Sequence, residues 1–204
     1  MKKTDSRLQI WESALLISLC FTLLSGLWAR SAQAKLSREI VRLHVIAESD
    51  SERDQAIKLK VRDAVLKYLE PKLAGTKSAE EANFIINEEL EAINAIAQST
   101  VMFEGRLCKT EAGISIEHYP SRLYDSFSLP AGDYVSLRVI LGEGKGQNWW
   151  CVVFPPLCLE SAQSETAFSE LSDENARLIT ADSGKYVLKF RIIELFDLLR
   201  GAFS

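Results

Sequence analysis

The sequence predicts an α+β fold in a single domain, a mostly antiparallel sheet of about four strands packed against an N-terminal helix pair and a C-terminal helix. Three observations predict it. Apolar residues recur at three- and four-residue steps in two stretches between residues 52 and 104. From residue 106 the period falls to two, the spacing of a strand with one face buried. The chain of 204 residues, 47% hydrophobic and 25% charged, is long enough for one core or at most two small ones.

The first 34 residues stand apart. Lys2, Lys3 and Arg7 precede a run without charge over residues 13–29, of which positions 14–29 hold twelve apolar residues in sixteen. Ala32-Gln33-Ala34 follows, with the small-x-small form of a signal-peptidase site. A positive start, an apolar middle and a small-residue end read as an export signal cleaved after Ala34. The uncharged stretch is about 25 Å long as a helix, close to a hydrocarbon core of about 30 Å. The alternative is therefore an uncleaved anchor formed by residues 14–29. Residues 35–204 are the exported domain. The leader contributes +2 to a net charge of -4, so the domain stands at -6.

Residues 40–47 are rich in β-branched side chains and read as a strand. Ser49-Asp50-Ser51-Glu52 then has the capping-box spacing, and Ile57, Val61, Ala64, Val65, Tyr68 and Leu69 form one helical stripe. Asp54 with Lys58 and Asp63 with Lys67 are acid-before-base pairs four apart. Pro71 marks the end of the helix. Ser78-Ala79-Glu80-Glu81 is a second capping box, opening a helix with Ala82, Ile86, Leu90, Ile93, Ala97 and Val101 on one stripe and Gly105 as its stop. Two helices joined by a short turn at Gly75 are expected to lie antiparallel against the sheet.

Residues 113–119 and 133–141 alternate, and 149–154 are an apolar run, giving three further strands. The Gly-rich link over residues 142–148 suits a hairpin turn. Residues 159–183 are polar and without period, and read as a loop. Leu188, Ile192, Leu195, Phe196, Leu199 and Phe203 mark the C-terminal helix.

Composition excludes a nucleic-acid binder, because a pI of about 5.4 and the lack of a basic run leave nothing to neutralise phosphates. No residues suggest a cofactor or a metal. Cys151 and Cys158 are seven apart, not at zinc-knuckle spacing, and no histidine lies near them. The two histidines, His44 and His118, sit in strands without a Gly-x-Ser-x-Gly elbow anywhere in the chain. The Gly142 to Gly146 run lacks the Gly-Lys-Ser/Thr ending of a phosphate loop. Glu48, Asp50 and Glu52 gather at a helix start, where the dipole favours acid. Without the leader three cysteines remain, which allows one internal disulfide and a spare thiol at Cys108. Cys151 and Cys158 flank two prolines that turn the chain, and a bond between them would close a loop worth about 2.5 kcal/mol in the chain-entropy model. The alternative is two reduced, buried thiols. Trp149 and Trp150 are adjacent on a strand and so face opposite sides of the sheet. Core packing of both is the plain reading, and a partner-facing surface is the other.

Taken together, Arg42-Leu43-His44-Val45-Ile46-Ala47-Glu48-Ser49-Asp50-Ser51, Asp54-Gln55 and residues 58–63 resemble the opening of the stage II sporulation protein R family. So do Tyr119-Pro120, Leu129-Pro130-Ala131-Gly132-Asp133-Tyr134, Leu141-Gly142-Glu143-Gly144 and the long run Asn148-Trp149-Trp150-Cys151-Val152-Val153-Phe154-Pro155-Pro156-Leu157-Cys158. The resemblance spans about residues 38 to 158. It implies a signal and not an enzyme. Such a protein is exported from the forespore into the intermembrane space, where it activates the membrane-embedded aspartic protease that cleaves the sigma-E precursor for the mother cell. The implied partner is that peptidase, with membrane contact through the N-terminal segment or the receptor. The family supplies no catalytic residues. Arg122 and Tyr124, after Pro120, with Trp149 and Trp150, are the expected receptor-binding residues, because exposed Arg and aromatic side chains anchor interfaces. The rival readings are an exported cell-wall-binding module using the Trp pair, or a wall or peptide hydrolase using His44 or His118 beside an acid.

Overall fold

The computed structural model describes residues 2–124 and 127–157, together with Leu171, Asn175 and Ile179. The predicted C-terminal helix and Cys158 lie outside these residues, as does the predicted polar loop apart from those three positions.

The elements run α1 (Lys2–Arg38), β1 (Val41–Ile46), α2 (Glu52–Leu73), α3 (Ala79–Glu88), α4 (Leu90–Phe103), β2 (Thr110–Tyr119), β3 (Arg122–Leu123), β4 (Ser128–Leu129), β5 (Gly132–Leu141) and β6 (Asn148–Phe154). Four strands form one sheet in the order β2-β5-β1-β6, and β3 pairs with β4 in a two-stranded ribbon. The fold is α+β in one domain, as the periodicities predict. Of the three pairings in the main sheet, β2 with β5 and β1 with β6 are antiparallel, whereas β1 runs parallel to β5.

That parallel pairing corrects the hairpin expected over residues 142–148. β1 lies between β5 and β6, so the link must cross the end of β1, a reach of about two strand spacings or ~10 Å. It does so against the chain just after β1: Gly146 N donates to the Ala47 carbonyl at 2.9 Å and Lys145 N to the Glu48 carbonyl at 3.3 Å. A Cβ on Gly146 would lie 2.4 Å from the Ser49 carbonyl oxygen, so only glycine fits the crossing. The pairing of β1 and β5 is between residues about a hundred apart, and no local signal announces it.

The helix boundaries follow their caps with one shift. Ser51, not Ser49, is the N-cap of α2, its hydroxyl accepting from Asp54 N at 3.2 Å. Ser49 Oγ instead accepts from Ser51 N and donates to Asp54 Oδ2. Ser78 caps α3 as expected, accepting from Glu81 N. Pro71 sits inside the last turn of α2 rather than ending it, and Gly75 at φ +84° makes the turn. The predicted second helix divides at Glu89 into α3 and α4. Glu89 takes the Tyr68 hydroxyl and, at 2.6 Å, the Lys72 ammonium, tying the break to α2. No glycine or proline marks the position, so the sequence hides it. Gly105, at φ +70°, ends α4.

The anticipated acid-before-base pairs on α2 do not form. Asp63 pairs with its neighbour Arg62. Asp54 is held by Ser49, Ser51 and Arg106, while Lys58 reaches Gln55 and the Gln147 carbonyl at 2.9 Å.

The core sits between the sheet and α2–α4. Val41, Leu43 and Val45 of β1, Leu137 and Val139 of β5, and Cys151 and Val153 of β6 meet Ile57, Val61, Val65, Ile86, Ile93 and Ala97. A second cluster, on the opposite face, gathers Leu36, Ile40, Tyr119, Phe127, Leu129, Tyr134, Val152 and Leu157, with Tyr124 and Trp150 against it.

α1 is one unbroken helix. Residues Ile10–Arg38 form a helix long and apolar enough to cross a membrane, and its most apolar stretch is unburied by the rest of the chain. Ala34 is exposed within this helix, and its last turns dock on the domain: Leu36 is buried in the second cluster, and the Gln33 side chain fills the space above Gly132, where a Cβ would lie 1.8 Å from Gln33 Nε2.

Candidate functional site

β6 is the edge of the sheet, and its alternation sends the two tryptophans to opposite faces. Trp149 stands opposite Val45 and Trp150 opposite His44. Trp149 does not fill the core, contrary to the plain reading of the sequence, whereas Trp150 packs in part against the second cluster. Trp149 is 37% exposed, with the Arg62 guanidinium 4.5 Å from its ring centre. Trp150 is half-buried, with the Arg122 guanidinium 4.1 Å from its ring centre and Tyr119 at 5.8 Å on another side. Among the described residues no strand flanks Trp149 and Trp150 on the side away from β1, and stems of Arg from α2 and β3 cover the rings in part.

Arg122 and Tyr124 reach the same place from the ribbon. Tyr124 stacks on Phe127, with ring centres 4.5 Å apart, and its hydroxyl donates to the Trp150 carbonyl at 3.3 Å. Arg122 is exposed and has no carboxylate partner among the described residues. All four expected receptor-binding residues thus line one open groove of about 700 Å³, closed on the helix side by the first half of α2 through Glu52, Gln55 and Leu59.

Behind the groove lies a residue that the sequence reading passed over. Arg42, the second residue of β1, is 0% exposed. Its guanidinium lies 3.9 Å from the Tyr119 ring centre and 5.2 Å from that of Tyr134. Nη2 donates to Tyr124 Oη at 2.6 Å and Nε to the Cys151 carbonyl at 3.4 Å, while Nη1 has no hydrogen-bond partner. No carboxylate meets it among the described residues. A buried cation held by rings and one hydroxyl is costly unless well satisfied, so it fixes the aromatic cluster that carries Tyr124 and Trp150 at some expense in stability. The only signal was the pattern Val41-Arg42-Leu43-His44-Val45, two polar residues on one face of an otherwise apolar strand.

Burial pushes the phenols of Tyr119 and Tyr134 well above their ordinary range, with the Ser136 hydroxyl opposing this at Tyr119 and the Arg42 charge opposing it at Tyr134. Burial also raises Tyr124, against the pull of Arg42 and Arg122. These hydroxyls stay protonated and act as hydrogen-bond groups.

Each histidine does lie beside an acid. His44 Nδ1 is 3.0 Å from Glu117 Oε2, and His118 Nδ1 is 2.8 Å from Asp133 Oδ1. A nucleophile does not complete either pair among the described residues. Nε2 of His44 has no partner, and the buried Ser136 hydroxyl is taken by Tyr119 at 2.6 Å. Among the described residues no group of three or more His, Cys, Asp or Glu side chains could hold a metal ion. Glu48, read as a helix-start acid, and Asp54, read as the partner of Lys58, together bind Arg106 at 3.0 Å each, and Asp50 accepts from Gln147 N at 2.7 Å. Hydrogen bonding from Ser49, then from Ser51, with the Arg106 charge, holds the Asp54 carboxyl below its usual range despite burial. Burial and the nearby Glu48 push the Cys108 thiol up, which makes it a poor nucleophile. Cys20 and Cys108 are free, whereas Cys151 is disulfide-bonded. Cys158, its expected partner, lies outside the described residues.

Comparison with known proteins gives this geometry a setting. Residues 37–164 match the family described as Stage II sporulation protein R. The chain belongs to the stage II sporulation protein R family. Stage II sporulation protein R of Bacillus subtilis (strain 168) is 38% identical over 138 residues, which is 68% of this chain and 62% of that relative. The chain therefore matches somewhat less than two thirds of that relative's length. No solved structure matches. The stage II sporulation protein R match begins just past Ala34 and runs through β1 to β6, so the groove, Arg42 and both histidines fall wholly inside the family region, while the apolar part of α1 falls outside it.

Proposed function

We propose that this chain is an exported signalling protein of endospore formation, without catalytic activity of its own. It activates the membrane-embedded aspartic protease that cleaves the sigma-E precursor in the mother cell. Membership of the stage II sporulation protein R family carries this reading. Two structural features support it. The apolar helix Ile10–Arg38 suits export or anchoring at the forespore membrane. The groove at β6 gathers two Trp, an Arg and a Tyr on one accessible surface, the residue types that anchor protein interfaces. Activation requires that the groove bind the protease's active state more tightly than its inactive state, since only differential affinity shifts an equilibrium.

The test is a blot for sigma-E precursor processing in sporulating cells. Deleting the gene should leave the precursor uncleaved, and intact processing in the deletion strain would refute the role. Arg122→Ala combined with Trp149→Ala should block processing while the protein still accumulates in folded form. Normal processing with that pair would move the receptor-binding surface elsewhere.

A further inference from the structure

α1 enters the domain without a joint. Only Glu39 and Ile40 separate its last residue from β1, so no linker lies between the apolar helix and the sheet. Its last turns are built into the fold. Leu36 and Ile40, each 1% exposed, belong to the cluster against which Tyr124 and Trp150 pack. Gln33 lies on Gly132 at the start of β5, and its amide also reaches the Tyr134 hydroxyl. Gln33 is the middle residue of Ala32-Gln33-Ala34, the small-x-small stretch. A cut after Ala34 would therefore take from the domain a side chain that the domain holds in place.

That cut also needs residues 32–34 drawn out of the helix, because proteolysis acts on opened backbone. Nothing local favours the opening. Residues 27–38 contain neither glycine nor proline and are mostly strong helix formers.

The strand register gives the direction in which the domain extends from this helix. β1 and β5 run parallel, and both start at the end where α1 docks. β6 runs the other way, with Phe154 opposite Val41 and Trp149 opposite Val45. At about 3.3 Å per residue, the step from Val41 to Val45 sets Trp149 about 13 Å along the sheet from the start of β1. The groove thus lies toward the end of the sheet opposite α1.

We propose that α1 is kept as a lipid-bilayer anchor, locked to the domain through Gln33, and that it holds the groove on the side of the domain away from its own membrane. This rests on the signalling reading and deepens it. A tethered ligand of this shape serves a receptor in a facing membrane, and the tether raises the effective concentration of the groove there.

The experiment uses the full chain, in sporulating cells and in vesicles of phosphatidylethanolamine and phosphatidylglycerol. In cells, intact mass should show a chain that still carries α1, extracted from membranes by detergent but not by high salt. A main species beginning at Lys35, or a full-length chain in the soluble fraction, would overturn the anchor. Gln33→Ala keeps the small-x-small pattern and favours helix, so it removes the side-chain contact alone. It should speed amide exchange at residues 32–36 by roughly threefold or more, and unchanged exchange would overturn the lock at Gln33. Orientation is read with Trp11→Phe and Trp28→Phe combined, which leaves Trp149 and Trp150 as the only tryptophans. Brominated lipids in the vesicles should quench the parent and leave this variant unquenched. An unquenched parent would refute insertion, and a quenched variant would put the groove against the membrane and refute its placement. The two readings fail separately. If α1 stays in the membrane but gene deletion leaves sigma-E processing intact, the signalling role fails and the anchor stands. Release at Lys35, with processing lost on deletion, sinks the anchor alone.

Discussion

The two faces of the main sheet are built from the same strands and by opposite means. Toward α2–α4, Val41, Leu43, Val45, Leu137 and Val139 are buried aliphatic side chains that need only to exclude water. Toward the ribbon, the alternate positions hold Arg42, His44, Tyr134, Ser136 and Arg138, tied to Glu117, Tyr119, Tyr124 and Trp150 by directional contacts. The aliphatic face stabilises the fold without asking for particular partners. The polar aromatic face adds less stability per residue, but it fixes the orientation of the side chains at the groove. Period-two alternation lets one strand serve both ends, and the edge strand β6 carries the second purpose to the surface.

The contrast can be broken most strongly from the aliphatic side. Leu43→Ala, at a position 0% exposed, should lower unfolding free energy by about 2–5 kcal/mol in urea denaturation. A loss below about 1 kcal/mol would mean that this face is not the main source of stability. On the other face, Tyr119→Phe keeps the ring over Arg42 but strands the buried Ser136 hydroxyl, and should cost about 1–3 kcal/mol by the same measurement. No loss would show that the polar face is held by its rings alone.

Beyond the end of β1, Asp54 sharpens the comparison because its contribution depends on pH. Its folded carboxyl titrates below the ordinary value of 3.8, so the unfolded chain binds more protons in the interval between the two values. The stabilisation is complete above the unfolded value and is lost as pH falls through the folded one. Asp54→Asn should therefore cost about 1–2 kcal/mol near neutrality, with the gap to the parent closing as pH falls from about 4. A gap that persisted unchanged in acid would assign the cost to geometry and not to charge. The smallest effect is expected where neither face is involved. Glu143 and Lys145 are both about 70% exposed, and Glu143→Gln should change stability by less than about 0.5 kcal/mol.

Much of the fold was legible because the helix face is a simple pattern. The stripes of α2, α3 and α4 and the alternation of β2 and β5 are repetitive local signals, and burial follows them at Ile57, Val61, Val65, Ile86, Ile93 and Ala97. The candidate site was legible in its residues, though not in its arrangement. Arg122, Tyr124, Trp149 and Trp150 carry their residue types openly, yet nothing local says that they share one groove. Arg42 was missed because a charged residue in a strand ordinarily faces water, and only the packing of Tyr119, Tyr124 and Tyr134 around it makes a buried position tolerable.

By itself the sequence determined what depends on neighbours along the chain: the apolar leader, the helical and strand periods, the caps at Ser78 and Gly105, and the residue types at the groove. Tertiary structure alone decided what depends on distant segments meeting. It set β1 between β5 and β6, turned the expected hairpin into a crossing over Ala47, passed Asp54 from Lys58 to Arg106, and put β6 at the edge. The physical reason is that periodicity reports which side of an element is apolar, whereas strand order is chosen by how several apolar sides can be buried together. That choice brought Trp149 and Trp150 to one groove with Arg122 and Tyr124.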